Sequence, residues 1–139
     1  MSFSLNVARK LETMIKYILD TSAVLALLFL ENGHKNVEPL LSESAMSTVN
    51  VAEALTKLAQ DKISLEASSK ELFALNLRII DFTTSQSIQV AELRPITKHL
   101  GLSLGDRACL ALTMQENATA VTADRNWATV DFCRVRLIR

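Results

Sequence analysis

Residues 17–30 read YILDTSAVLALLFL, and this stretch decides the class of fold. A short apolar run that ends in Asp20 is typical of a strand buried on both faces of a sheet. A helix is predicted directly after it, from about Ser22 to Leu30, and Gly33 is expected to stop that helix. A strand that passes straight into a helix is the first half of a β-α-β unit, and it predicts a parallel sheet.

The rest of the chain repeats this alternation. Further strands are predicted at residues 45–47, 78–82, 119–122 and 133–138. Helices are predicted between them, over residues 34–41, 51–59, 64–76, 84–98, 104–112 and 124–128. Apolar spacing places one set of side chains on the inward faces of these helices, namely Val51, Leu55, Leu58, Ala59, Leu65, Leu72, Phe73, Leu75, Leu104, Ala108, Ala111 and Leu112. Together these segments indicate an α/β fold with a mostly parallel sheet.

Composition narrows the class of protein further. The 139 residues suit one globular domain, since 49% are hydrophobic and 22% are charged. Fifteen Lys and Arg balance fifteen Asp and Glu, so any nucleic acid must be met by a local patch of charge. The longest apolar run, Ala23–Leu30, is far shorter than the roughly 20 residues of a membrane span, so no membrane partner is expected.

Two further features concern location and boundaries. Cys109 and Cys133 lack the spacing of a metal site, which favours a reducing compartment and a cytoplasmic protein. Residues 1–13 are polar and aperiodic, so we interpret them as a loose N-terminal extension of a domain that covers residues 14–139.

Four carboxylates stand out because of their positions. Asp20 ends the first strand, Asp124 follows the fourth, and Glu53 and Asp106 lie early in helices. In a sheet whose strand order reverses beside the first strand, these acids converge on one edge. A cluster of oxygen ligands without His or Cys suits a hard cation such as Mg²⁺ or Mn²⁺.

Each acid also has an ordinary explanation. Asp20 and Asp124 are good caps for the helices that follow them. The run from Ser103 to Asp106 has the form of a capping box, and Glu53 could simply be a solvated helix residue. Helix capping alone, however, does not require acids at corresponding strand ends. The four acids taken together therefore favour a metal-binding site.

Four segments in order carry a family resemblance. They read YILDTSA at 17–23, VNVAEAL at 49–55, LSLGDRACLAL at 102–112 and VTADRNW at 121–127. In residue types and spacing these segments resemble PIN-domain ribonucleases, specifically the VapC-type toxins of bacterial toxin–antitoxin pairs. The resemblance runs from about Lys16 to the C-terminus, and no acid of the pattern is missing.

The resemblance implies a three-layer α/β/α sandwich with strand order 3-2-1-4-5. It implies that the four acids bind Mg²⁺ or Mn²⁺ and catalyse metal-dependent cleavage of RNA by an endoribonuclease. It also implies supporting roles for nearby polar side chains, namely Thr21, Ser22, Asn50 and Thr122. The expected partners are an RNA substrate, a small DNA-binding antitoxin and a second copy of the chain in a homodimer.

To bind RNA phosphates, the protein would need positively charged side chains near the acids. Candidates are the arginines beside the acids and along the last strand, namely Arg107, Arg125, Arg134 and Arg136. Each could instead be ordinary surface charge. Trp127 could stack on a base, but its apolar setting favours a place in the core.

An alternative function is a PIN-like module that binds RNA or its antitoxin without cutting. The complete set of acids argues against it. Phosphoryl transfer of the receiver or haloacid-dehalogenase kind is disfavoured, because a single acid, Asp20, ends the first strand and Thr21 and Ser22 follow it.

Overall fold

The structure is a computed structural model that describes residues 14–61 and 64–139. Five strands form one sheet in the order β3-β2-β1-β4-β5, and every pair of neighbours is parallel. The strands are β1 (Tyr17–Leu19), β2 (Ser44–Ser47), β3 (Arg78–Ile80), β4 (Thr119–Thr122) and β5 (Arg134–Leu137). The predicted fold class and strand order are confirmed.

Within residues 14–61 and 64–139, five α-helices connect or cover these strands. They are α1 (Thr21–Leu28), α2 (Thr48–Gln60), α3 (Leu65–Phe73), α4 (Thr84–Thr97) and α5 (Leu104–Gln115). Short 3₁₀ helices cover His34–Asn36, Glu38–Glu43, Lys98–Leu100 and Arg125–Thr129. Side-chain caps begin the α-helices, as at α4, where Thr83 and Gln86 form a reciprocal capping box.

Alternation along β1 separates the two cores, because successive side chains of a strand point to opposite faces. Leu19 packs with α1, α2 and α3 on one face. Ile18 packs with α4, α5 and Trp127 on the other. Both residues are fully buried, so β1 lies at the centre of a three-layer α/β/α sandwich. The carboxyl ends of β1 and β4 therefore meet at the middle of one sheet edge.

Some predicted details differ. The helix expected over residues 34–41 is two 3₁₀ segments, since Gly33 has φ +93° at the start and Pro39 cannot donate a backbone hydrogen bond. Several side chains predicted to point inward are exposed, namely Ala59, Leu65, Phe73 and Leu104. At α3 the buried face is narrow, formed by Ser68 and Leu72, so apolar residues at the two ends of that helix point away from it.

Three further expectations concern Trp127, membrane-spanning helices and residues 1–13. Trp127 is fully buried, which confirms the core assignment. Within the described parts of the chain, no helix is both long and apolar enough to cross a membrane. The expectation for residues 1–13 concerns a segment outside the described residues, so it stays a prediction.

Candidate active site

Asp20 is a buried carboxylate at the carboxyl end of β1. Its Oδ1 accepts hydrogen bonds from the Ala23 N–H at 2.9 Å and the Ser22 hydroxyl at 2.7 Å, and its Oδ2 accepts one from the Thr122 hydroxyl at 2.6 Å. Burial is the main cause that raises its pKa, to about 6, even though these hydrogen bonds oppose the shift. The cap predicted for Asp20 is therefore real, yet it does not account for so costly a buried acid.

Two hydroxyls join the ends of β1 and β4 at this point. The Thr122 hydroxyl, besides donating to Asp20, accepts a hydrogen bond from the Asp124 N–H at 3.0 Å. The Ser22 hydroxyl accepts one from the Ala123 N–H at 2.9 Å, and the two hydroxyl oxygens lie 3.3 Å apart. Both predicted polar helpers therefore fix the segment that carries Asp124 relative to Asp20.

Glu53 reaches the same edge from α2 through a second set of contacts. Its Oε1 accepts hydrogen bonds from the Thr21 hydroxyl at 2.7 Å and the Asn50 amide at 2.9 Å. The same amide donates to the Gly105 carbonyl at 3.0 Å, so it connects α2 with α5. Asn50 and Glu53 share one helix face, as their spacing predicted. Both side chains form hydrogen bonds to other elements, so neither is a solvated helix residue without partners.

Asp106 enters the site from the first turn of α5. Its Oδ2 accepts a hydrogen bond from the Ser103 N–H at 2.9 Å, which completes the predicted capping box. Partial burial is the largest cause that raises the pKa of Asp106, and the negative charges of Asp124 and Glu53 raise it further. Asp106 in turn helps to raise the pKa of Asp20. Asp106 therefore lies close enough to interact electrostatically with each of the other three acids.

Asp124 keeps a local role as well. It caps the 3₁₀ helix Arg125–Thr129 by accepting a hydrogen bond from the Asn126 N–H at 2.9 Å. Its position follows from β4, whose last residue, Thr122, is bound to Asp20.

The donors of this edge fit a hard divalent cation in their chemistry, since all are oxygens. None of the four acids forms an ion pair with a Lys or Arg of the described chain. The buried Oδ1 of Asn50 also has no hydrogen-bond partner there. Even so, among residues 14–61 and 64–139 no three carboxylate, imidazole or thiol side chains are gathered closely enough to hold an ion. Asp106 and Asp124 each hold one carboxylate oxygen in a local capping bond.

The predicted arginines fall in different places. Arg125 is exposed directly beside Asp124. Arg107 lies beside Asp106, but it donates to the carbonyls of Ser103 and Val90, at 3.3 and 2.9 Å. The other two lie on β5.

Those two β5 arginines lie farther from the acids along the strands. Arg134 pairs with Thr119, at the start of β4, and donates to the carbonyls of Asn117 and Ala118. Arg136 stacks over Tyr17, with 5.6 Å between its guanidinium carbon and the ring centroid. The structure therefore brings Arg125 and Arg107 to the acidic edge and leaves Arg134 at the opposite end of the sheet.

Sequence reasoning missed Gly105. A Cβ at this position would overlap the carboxylate of Glu53, so α5 and α2 approach each other where Gly105 has no side chain. The available signal was a glycine in the first turn of a helix, next to a candidate acid.

A parallel sheet of this order, with acids at the carboxyl ends of its central strands, defines an α/β/α domain with an acidic edge. The PIN domain family matches residues 17–132, and the chain belongs to that family. No curated protein sequence matches the chain.

Solved structures carry the same fold. VapBC2 from Rickettsia felis, bound to a DNA fragment from its promoter, is 25% identical, with a TM-score of 0.66 over 88% of this chain and 98% of that one. DNA-bound VapBC from Salmonella typhimurium is 18% identical, with a TM-score of 0.70 over 91% and 100% of the two chains. VapBC-5 from Mycobacterium tuberculosis, a member of the VapBC toxin–antitoxin family, is 20% identical, with a TM-score of 0.57 over 89% and 98%.

Proposed function

We propose that this protein is a metal-dependent endoribonuclease and the toxin of a type II toxin–antitoxin pair. The observation that supports this most is the convergence of the acids on one sheet edge, where burial is the largest cause that raises the pKa of Asp20 and of Asp106 and repulsion between the acids adds to it. No described cation pairs with any of them. Acids held together in this way favour a bound Mg²⁺ or Mn²⁺, whose charge would offset the repulsion.

We assign different roles to the four acids. Asp20 and Asp106 are the proposed direct ligands, while Asp124 and Glu53 share ligand, water-orienting and proton-accepting roles. A divalent cation held there would acidify a water and withdraw charge from the scissile phosphate. Asp106 and Asp124 each use one carboxylate oxygen in a capping bond, and the second oxygen of each would be the one to contact an ion.

The supporting polar residues hold this arrangement in place. Hydrogen bonds fix Asp20 and Glu53, and the donors are Ser22, Thr122, Thr21 and Asn50. A water positioned at such a site would attack the phosphorus in place of the ribose 2′-hydroxyl. The expected products therefore carry a 5′-phosphate and a 3′-hydroxyl.

An Asp106→Asn variant tests the metal site directly. Asparagine keeps the capping oxygen and removes one negative charge, so the metal-free variant should be at least as stable as the parent. It should lose cleavage by at least the roughly 10–100-fold typical of a weakened metal site. It should also lose the stabilisation by added Mn²⁺, about 2.7 kcal/mol at a hundredfold excess over Kd. Thermal melts with chelator and with Mn²⁺, beside an RNA cleavage assay, measure all three.

The matched control is Asp131→Asn, which removes an exposed acid from the segment before β5. It should keep parental cleavage and a parental response to Mn²⁺. Parent-like cleavage by Asp106→Asn would refute the proposed site. Specific RNA binding without cleavage by the parent, with every metal tried, would favour the non-catalytic binding module instead.

A protein partner is part of the proposal. The similar structures from Rickettsia felis and Salmonella typhimurium are VapBC complexes bound to DNA. By analogy, we expect this chain to bind a small DNA-binding antitoxin and to form a homodimer. Phe29 and Leu30, exposed by 39% and 70% at the end of α1, are apolar surface that such a partner could cover.

A further inference from the structure

Glu53 is held by one of its two carboxylate oxygens. Both donors, the Thr21 hydroxyl and the Asn50 amide, bind Oε1, at 2.7 and 2.9 Å. Oε2 has no hydrogen bond to any described residue. The carboxylate is therefore oriented so that Oε2 remains available to a ligand or a water.

That orientation brings the carboxylate against the backbone of α5 at Gly105. A Cβ added to Gly105 would overlap both carboxylate oxygens and the carbon that joins them. The backbone of Gly105 itself does not require glycine, because its φ is not positive. Its surroundings require glycine, since the space that a side chain would take is filled by Glu53.

The two sides of this contact are tied together by one amide. Asn50 donates from the same nitrogen to Glu53 Oε1 and to the Gly105 carbonyl, so the carboxylate and the glycine are held at a fixed separation. Asp106 is the next residue of α5 and lies in the same first turn as Gly105. The approach of α5 to Glu53 therefore also sets how closely these two acids lie.

We infer that Gly105 is a positioning residue: its missing side chain lets the Glu53 carboxylate lie against the first turn of α5, with Oε2 free of hydrogen bonds to described residues. Any side chain here displaces the Glu53 carboxylate, which is the flexible group of the pair. The displacement breaks its hydrogen bonds to Thr21 and Asn50 and moves it away from Asp106. The cleavage consequence rests on the proposed nuclease function, whereas the contact itself does not.

A double-mutant cycle of Gly105→Ala and Glu53→Ala tests this inference. In the Glu53→Ala background no carboxylate opposes the new methyl group, so Gly105→Ala should raise the melting temperature by about 2–4 °C through helix propensity. In the parent background the gain should disappear or reverse, because two hydrogen bonds to Glu53 are lost. These melts, measured with chelator, report the contact whether or not RNA is cleaved.

Two further readouts separate positioning from a purely structural role. The Mn²⁺-dependent rise in melting temperature and the rate of RNA cleavage should each fall in Gly105→Ala, cleavage by tenfold or more. Neither should fall further when Gly105→Ala is added to Glu53→Ala. Thr21→Val, which removes a donor to Oε1 and keeps the side-chain shape, should lower the same two quantities.

Each result has a definite meaning. Equal temperature gains in both backgrounds would show that Gly105 does not constrain Glu53. Coupled melting temperatures with parental cleavage and a parental Mn²⁺ response would show that the position of Glu53 is unimportant, and would overturn the inference. Absence of cleavage in the parent, with coupled melting temperatures, would count against the nuclease proposal and leave the contact established.

Discussion

At the scale of single residues, Asp20 shows how a cap and a site can be the same side chain. It caps α1 and it is 3% exposed, so the protein bears the cost of burying a carboxylate. Three donors offset part of that cost, and the raised pKa shows that they do not offset all of it. A surface cap would do the same work for α1 without this penalty.

This burial predicts the pH dependence of stability. Since the pKa of Asp20 is raised from 3.8 to about 6, the folded state binds more protons than the unfolded state between these values. The free energy of unfolding of the metal-free protein should therefore fall as pH rises through about 6, by up to roughly 3 kcal/mol. Asp106, whose pKa is also raised, contributes in the same direction.

Urea denaturation with chelator, from about pH 3.5 to about pH 7.5, spans both pKa values and measures this dependence. The Asp20→Asn variant has no carboxyl group to titrate and should show a clearly flatter profile. An unchanged slope in that variant would mean that Asp20 ionises as easily in the folded as in the unfolded chain.

At the scale of elements, α5 contributes both to the core and to the candidate site. Its capping box fixes Asp106, its second residue Gly105 contacts Glu53, and Arg107 fastens it to α4 through the Val90 carbonyl. Alanine and leucine side chains of the helix centre pack on the sheet in one of the two cores. The middle of α5 therefore packs in the core, and its first turn carries residues of the candidate site.

The two arginines at this edge should behave differently. Arg107→Ala removes hydrogen bonds to two carbonyls and should lower the free energy of unfolding by about 1–2 kcal/mol. Arg125→Ala should change it by less than about 0.5 kcal/mol, since Arg125 is exposed and has no hydrogen bond or ion pair within the described chain.

If Arg125 contacts an RNA phosphate, its loss should weaken RNA binding and reduce the salt dependence by about 0.7 in log–log slope. Chemical denaturation and RNA-binding titrations at several salt concentrations give both quantities for the pair. Equal losses of stability in the two variants, or unchanged RNA binding by Arg125→Ala, would contradict this assignment.

At the scale of the whole molecule, residues far apart in sequence form one edge. Asp20 and Thr122 are separated by 102 positions and share a 2.6 Å hydrogen bond. That contact depends on the pairing of β1 with β4, which in turn depends on the apolar cores on both faces. Trp127 fixes the segment after Asp124 by its complete burial in the second core.

Expression of the whole protein in cells tests the proposed partner. The parent should arrest growth, and co-expression with the small protein encoded beside its gene should relieve the arrest, because a partner that covers the acidic edge excludes RNA. Growth curves measure both effects, and Asp106→Asn, which should not arrest growth, is the control. Arrest that no neighbouring gene product relieves would contradict the toxin–antitoxin assignment.

The amino-acid sequence by itself predicted most of the architecture. Apolar runs with different periods distinguished strands from helices, and the segments around Asp20, Glu53, Asp106 and Asp124 carried the family resemblance. These signals are local, since periodicity, caps and turns depend on neighbours along the chain. The same local rules failed at Leu65, Phe73 and Leu104, because apolar spacing does not reveal which side chains at a helix end stay exposed.

Only the tertiary structure decided the arrangement within the site. The sequence proposed that the acids converge, but not that Thr122 and Ser22 bridge two strand ends, or that Asn50 joins Glu53 to Gly105. It also could not distinguish Arg125, beside the acids, from Arg134, at the far end of the sheet. These contacts join residues up to 102 positions apart, and their geometry follows from how sheet and helices pack, which no local pattern encodes.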